Sequence, residues 1–221
     1  MQLSIFNLFN IGIGPSSSHT VGPMRAANFF IQKLKKHEFY ERCTKVQVEL
    51  YGSLSFTGIG HGTDKAILVG LEGEAPELTH PDRIQQILER IQQNKKIRLG
   101  GERELVFDPA IDLAFKDHAL PYHSNGMIFY AYEGMNLLYR KVFYSIGGGF
   151  IVGHKSAQNN QLQTEEINVP FPFNTAQELL SLCEKHSLSI ADVCFQNELC
   201  HRSADRVDEK VQEIWQVMQD C

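Results

Sequence analysis

The stretch Ile11-Gly-Ile-Gly-Pro-Ser-Ser-Ser-His-Thr-Val-Gly-Pro-Met24 decides how the first half of the chain is read. Its Gly, Pro and Ser content predicts a loop over residues 11–20, and Pro23 suits the first turn of a helix. Met24, Ala27, Phe30, Ile31 and Leu34 then recur at near-helical spacing before the charged run 33–38. Four hydroxyls and an imidazole, on Ser16, Ser17, Ser18, His19 and Thr20, are thereby set at a helix N-terminus. Upstream, residues 1–10 read as a short helix capped at Ser4.

Downstream, Val46, Val48 and Leu50 alternate with Gln47 and Glu49 as a half-buried strand. Residues 52–62 are a glycine-punctuated connection. A second helix starts near Thr63, with Asp64 in a first turn that favours a carboxylate, and runs to about Gly73. Ile84, Ile87, Leu88 and Ile91 mark an amphipathic helix over 81–96. Strands are expected at 97–107, 127–133, 137–146 and 149–153. The fold class is α+β: an N-terminal α/β domain over 1–155 whose helices cover one face of a mainly antiparallel sheet.

Residues 156–173 lack periodicity and read as a linker. Beyond them only helices are predicted, so 174–221 is expected to be the beginning of an all-α domain. Thr175 with Glu178 makes a capping box, Ser189 with Asp192 resembles another, and Val207, Val211, Ile214, Trp215 and Met218 line a third helix.

A chain of 221 residues with 43% hydrophobic content is long enough to bury a core. Its net charge of −5 and the lack of a basic stripe interleaved with aromatics disfavour nucleic acid and favour small-molecule partners. No run approaches the roughly 20 apolar residues that span a bilayer, and the N-terminus lacks a basic region and cleavage site. No membrane partner and a cytoplasmic location are therefore expected. Cys43, Cys183, Cys194, Cys200 and Cys221 are odd in number and show no CxxC pair, so they read as reduced thiols with no metal-ligand spacing.

Three stretches carry chemistry. The Ser16–Thr20 loop offers hydroxyls and helix-terminal N–H groups to a carboxylate or phosphate, although a plain helix cap would also use one of its serines. His61 lies between Gly60 and Gly62, which leave the imidazole uncovered as a general base or simply as a turn histidine. His123 and Asn125, ahead of a strand, could hydrogen-bond an amino acid, while Asn125-Gly126 is also an ordinary turn signal. His37, His80, His118, His154, His186 and His201 are expected to face solvent.

Together, Ile11–Met24, Gly60-His-Gly-Thr-Asp64 and His123-Ser-Asn-Gly-Met127 resemble the beta-domain signature of the iron-sulfur-dependent L-serine dehydratases. The motifs follow the family's order over the first 155 residues, and the region after the linker is similar to the opening of the family's alpha domain. The resemblance implies a fold like the allosteric substrate-binding domain of some phosphoglycerate dehydrogenases. It implies a cytoplasmic homodimer that eliminates water from L-serine to give pyruvate and ammonia, as in serine catabolism and gluconeogenesis. It also implies a 4Fe-4S cluster held by cysteines deeper in the alpha domain, so this chain is expected to be a truncated part that neither holds the cluster nor turns over alone.

Carried over by motif, the resemblance implies that Ser16, Ser17, Ser18 and Thr20 bind the substrate carboxylate and amino group and that His61 is the catalytic base, with His19 the alternative. Thr63 is a substrate-site residue, and with Asp64 it orients His61 or caps the following helix. His123 and Asn125 are further substrate-binding residues, catalytic or regulatory. A stand-alone serine-sensing allosteric module without catalysis would share all three motifs.

Overall fold

The computed structural model describes residues 4–9, 11–158 and 168–220. They divide into two compact units: residues 12–158 form one, and the described residues up to Ile11 group with those from 168 onward. Much of the expected linker, 159–167, lies outside the described residues, as do residues 1–3, Asn10 and Cys221.

The helical unit starts with α1 (Ile5–Leu8), whose Ser4 cap accepts from Phe6 N–H at 3.2 Å, as its sequence predicts. The larger unit follows, and there the Ser/His stretch is not all loop. Ser17–Val21 form a π-helical turn that runs directly into α2 (Gly22–Lys36). Pro23 has no N–H to offer the His19 carbonyl four residues back, and that carbonyl accepts from Thr63 Oγ1 at 2.6 Å instead. Ser16 caps the turn by accepting the His19 N–H at 3.2 Å.

β1 (Lys45–Gly52) leads into α3 (Ser53–Phe56), one helical turn inside the stretch expected to be a connection. Next come α4 (Thr63–Leu71), α5 (Pro81–Asn94) and a hairpin, β2 (Lys96–Leu99) and β3 (Arg103–Val106), that forms its own two-stranded sheet. The unit closes with α6 (Pro109–Asp112), β4 (Leu113–Phe115), β5 (Asn125–Glu133), β6 (Asn136–Gly147), β7 (Phe150–Gly153) and α7 (His154–Gln158). The main sheet has the order β4-β1-β5-β6-β7 and is antiparallel except where β4 pairs parallel with β1. Neither β4 nor α7 was predicted. α7 occupies the end of the first domain and the start of the expected linker.

One face of the sheet, with Val46, Val48, Leu50, Met127, Phe129, Ala131 and Phe143, buries against α2, α4 and α5. Phe30 of α2 is fully buried and stacks on Phe129 at 5.2 Å between ring centroids. Burying such a ring contributes about 1.5–3 kcal/mol. The opposite face carries a smaller cluster of Tyr51, Ile128, Val142 and Tyr144. At the end of α4, the buried Glu72 carboxylate pairs with Arg90 of α5 and accepts the Arg98 N–H of β2 at 2.8 Å. One side chain thereby joins three elements.

The helical unit contains α8 (Ala176–His186), α9 (Ile190–Glu198) and α10 (Ala204–Asp220). Both expected capping boxes are formed, Thr175 with Glu178 and Ser189 with Asp192. Glu198, 2% exposed, accepts from Ser4 Oγ at 2.9 Å and Ile5 N–H at 2.7 Å and pairs with Arg202. The N-terminal segment, which its position in sequence assigned to the first domain, is tied to these helices. On α10 Val207 is buried, whereas Val211, Trp215 and Met218 are exposed. Among the described residues no helix is long and apolar enough to cross a membrane.

Candidate active site: a histidine pair at one end of the sheet

β1 ends at Gly52, whose φ of +55° is a left-handed value that favours glycine. A Cβ there would lie 2.3 Å from the Ser124 carbonyl oxygen, so a side chain would push apart the turn that starts α3. Gly58 is equally constrained, since its Cβ would sit 2.0 Å from the Leu54 carbonyl oxygen. The chain therefore folds back tightly after α3 and delivers His61 to the N-terminal end of α4.

There His61 meets His19, with ring centroids 4.9 Å apart and planes inclined by 39°. Two buried threonines brace the pair reciprocally. Thr20 Oγ1 donates to the His61 carbonyl at 2.9 Å, and Thr63 Oγ1 donates to the His19 carbonyl at 2.6 Å. Each hydroxyl has one proton, and here it is committed to a backbone oxygen. The structure thus gives Thr20 and Thr63 a bracing contact.

The two imidazoles differ in their surroundings. His19 is half-buried, with Nδ1 2.9 Å from Ser18 Oγ and Nε2 3.0 Å from Ser53 Oγ. Burial, and then the proximity of His61, hold its pKa below the usual histidine value, with the Ser53 backbone acting in the opposite direction. His61 has Nδ1 2.9 Å from the Thr57 carbonyl oxygen. A carbonyl can only accept, so Nδ1 carries a proton, and in the neutral ring the lone pair is on Nε2.

The three serines of the first motif separate by role. Ser16 caps the π-helical turn and lies 3.4 Å from Ser18 Oγ, Ser18 touches His19, and Ser17 is exposed with no hydrogen bond to its hydroxyl among the described residues. The Ser17 and Ser18 amides open the turn and have no intrahelical acceptor.

The third motif reaches this region through backbone. Asn125 faces Gly52 in the β1–β5 register, and Ser124 C=O accepts the Ser53 N–H at 2.9 Å. Asn125 N–H donates to His123 Nδ1 at 3.0 Å, and the buried Asn125 amide donates to the Ser145 carbonyl at 3.1 Å. Among the described residues no hydrogen bond joins His123 to the histidine pair. Asp64, in the first turn of α4, lines a cavity of about 390 Å³ with Leu68, Gln85 and Leu88, and among the described residues no hydrogen bond joins it to His61.

Three contributors were not found from sequence: Ser53, Thr57 and Ser145. Ser53 and Thr57 lie in the glycine-rich connection, where no periodicity marks them. Ser145 is fully buried, its hydroxyl has no partner among the described residues, and it abuts Gly22, where a Cβ would come within 2.1 Å of it. His37, His80, His118, His154 and His186 are exposed, whereas His201 is half-buried. Cys43 is buried, which pushes its thiol pKa up, Cys183 and Cys194 are partly buried, and Cys200 is exposed. Among the described residues no group of three or more His, Cys, Asp or Glu side chains could hold a metal ion, so they do not fit an iron-sulfur cluster.

The geometry brings together an imidazole whose Nδ1 donates to a backbone carbonyl and a turn whose N–H groups favour an anion. It can hold a carboxylate and remove a nearby proton.

The family described as the serine dehydratase beta chain matches residues 4–156. The chain is 43% identical over 224 residues to an L-serine dehydratase of Streptomyces coelicolor, and the alignment covers 100% of this chain and 49% of that protein. It is 41% identical over 221 residues to L-serine dehydratase 1 of Escherichia coli, covering 100% of this chain and 48% of the relative. An L-serine dehydratase of Helicobacter pylori is 36% identical over 221 residues, with coverage of 100% and 48%. The chain spans about half the length of the curated relatives it matches. The family match contains all three motifs and both histidines of the pair, and on it the chain belongs to the serine dehydratase beta-chain family.

Proposed function

We propose that this chain is the substrate-handling part of an L-serine dehydratase, which eliminates water from L-serine to give pyruvate and ammonia. The observation that carries the reading is the His61 ring, with its Nδ1 proton held by the Thr57 carbonyl and its centroid 4.9 Å from that of His19 in the Ser16–Thr20 turn. The serine carboxylate sits against the Ser17 and Ser18 amides, with the exposed Ser17 hydroxyl as a further donor. His61 Nε2 then takes the α-proton. His19 is the weaker base because both of its ring nitrogens already face serine hydroxyls and burial disfavours its cation.

Relatives named L-serine dehydratase support the substrate. The described residues supply no ligand set for a 4Fe-4S cluster, and we assign its ligands to sequence that the relatives carry beyond the matched half. The roles given to this chain are binding and proton transfer. His123 and Asn125 support the loop beside Ser53, and the five-stranded sheet with helices on one face suits the likeness to an allosteric substrate-binding domain. We also infer a cytoplasmic homodimer with L-serine as its small-molecule partner and no membrane partner, and the net charge of −5 supports the further inference of no nucleic-acid partner.

The test is pyruvate formation from L-serine by the full-length protein, purified anaerobically and assayed with and without reconstituted iron and sulfide. Pyruvate from the reconstituted protein alone is expected. Tight serine binding with no pyruvate in either state would contradict the dehydratase and favour the sensing module.

A further inference from the structure

Ser53 touches the histidine pair from outside the three motifs. Its position is fixed on both sides. Its N–H donates to the Ser124 carbonyl at 2.9 Å, and its carbonyl accepts from Thr57 N–H at 3.0 Å and Thr57 Oγ1 at 2.9 Å. Thr57 in turn holds His61 through its own carbonyl. The single turn α3 therefore reaches both rings, His19 by a side chain and His61 by a backbone oxygen. Gly52, which a larger residue could not replace without striking Ser124, sets where that turn begins.

We propose that Ser53 is a positioning residue: its hydroxyl, 3.0 Å from His19 Nε2, fixes the proton of His19 on Nε2 and holds that ring beside His61. The assignment rests on His61 being the base, as proposed above. The opposite ring nitrogen agrees with it, because Nδ1 is then free to accept from the Ser18 hydroxyl 2.9 Å away. His19 is thereby held in place between Ser18 and Ser53, and its ring forms a fixed wall for His61. Catalytic groups must be held to within a fraction of an ångström, and losing that control costs about ten- to a hundredfold in rate.

Two readouts test the proposal. The first is the histidine ring ¹⁵N spectrum of the full 221-residue chain, in wild type, Ser53→Ala and Ser53→Thr. His19 is expected in a single Nε2–H form in wild type, as a mixture of tautomers in Ser53→Ala, and restored in Ser53→Thr. The second is steady-state dehydratase kinetics of the same variants in the full-length enzyme. Ser53→Ala is expected to lose kcat by about tenfold with KM changed less than about twofold, and Ser53→Thr to recover it.

An Nδ1–H form of His19 in wild type, or a Ser53→Ala spectrum identical to wild type, would overturn the proposal. Equal losses in Ser53→Ala and Ser53→Thr with a lowered Tm would also overturn it, since the hydroxyl would then matter only for folding. The spectrum does not depend on turnover, so the Ser53 assignment can fail while His61 stands as the base, and the reverse.

Discussion

Ser17 and Ser18 are neighbours of the same type, yet one faces solvent and the other is hydrogen-bonded to a histidine ring. Their replacements should therefore act differently. A hydrogen bond to a charged group is worth about 1.5–3 kcal/mol, so Ser17→Ala should raise KM for serine roughly tenfold or more with kcat little changed. Ser18→Ala should act mainly on kcat by releasing His19. Steady-state kinetics of the full-length enzyme separate the two, and identical small effects would make the turn only a helix cap. At this scale sequence showed both histidines and the hydroxyl-rich turn, because Gly, Pro and Ser cluster around them. It did not show Ser53, because a hydrogen bond between residues 34 positions apart leaves no periodic trace.

Elements with a clear hydrophobic period were legible. α2 and α5 lie within a few residues of where Met24–Leu34 and Ile84–Ile91 put them, and both capping boxes form as their Thr/Glu and Ser/Asp spacing predicts. Elements defined by distant partners were not. β4 has three residues and exists by pairing with Val48–Leu50, and the π-helical turn carries a His19 carbonyl that Pro23 cannot meet and Thr63, 44 positions on, does. Glu72 is the corresponding tertiary device, buried where α4, α5 and β2 meet. Glu72→Ala should cost about 3 kcal/mol in denaturant unfolding, the low end for breaking a buried pair, because Arg90 keeps some contact with water. A loss below about 0.5 kcal/mol would show that the junction holds without it.

For the whole molecule, the sequence read from its start gives an α+β domain followed by helices, and residues 12–158 are mixed α and β around a five-stranded sheet. The N-terminal segment was misleading because its partners Glu198 and Arg202 lie nearly two hundred residues away, beyond any local pattern. The larger unit sets the π-helical turn, the β1–α3 turn and the loop before α4 at one end of its sheet, where we propose that His61 removes the α-proton of serine. The direct measurement is kcat and KM of the full-length, iron-reconstituted enzyme with L-serine and α-deuterated L-serine, in wild type and His61→Ala. His61→Ala should lower kcat by about 10² to 10⁴-fold, with serine binding retained and a deuterium effect at least as large as that of wild type. A His61→Ala enzyme that keeps its kcat and changes only KM would contradict the account and make His61 a binding group.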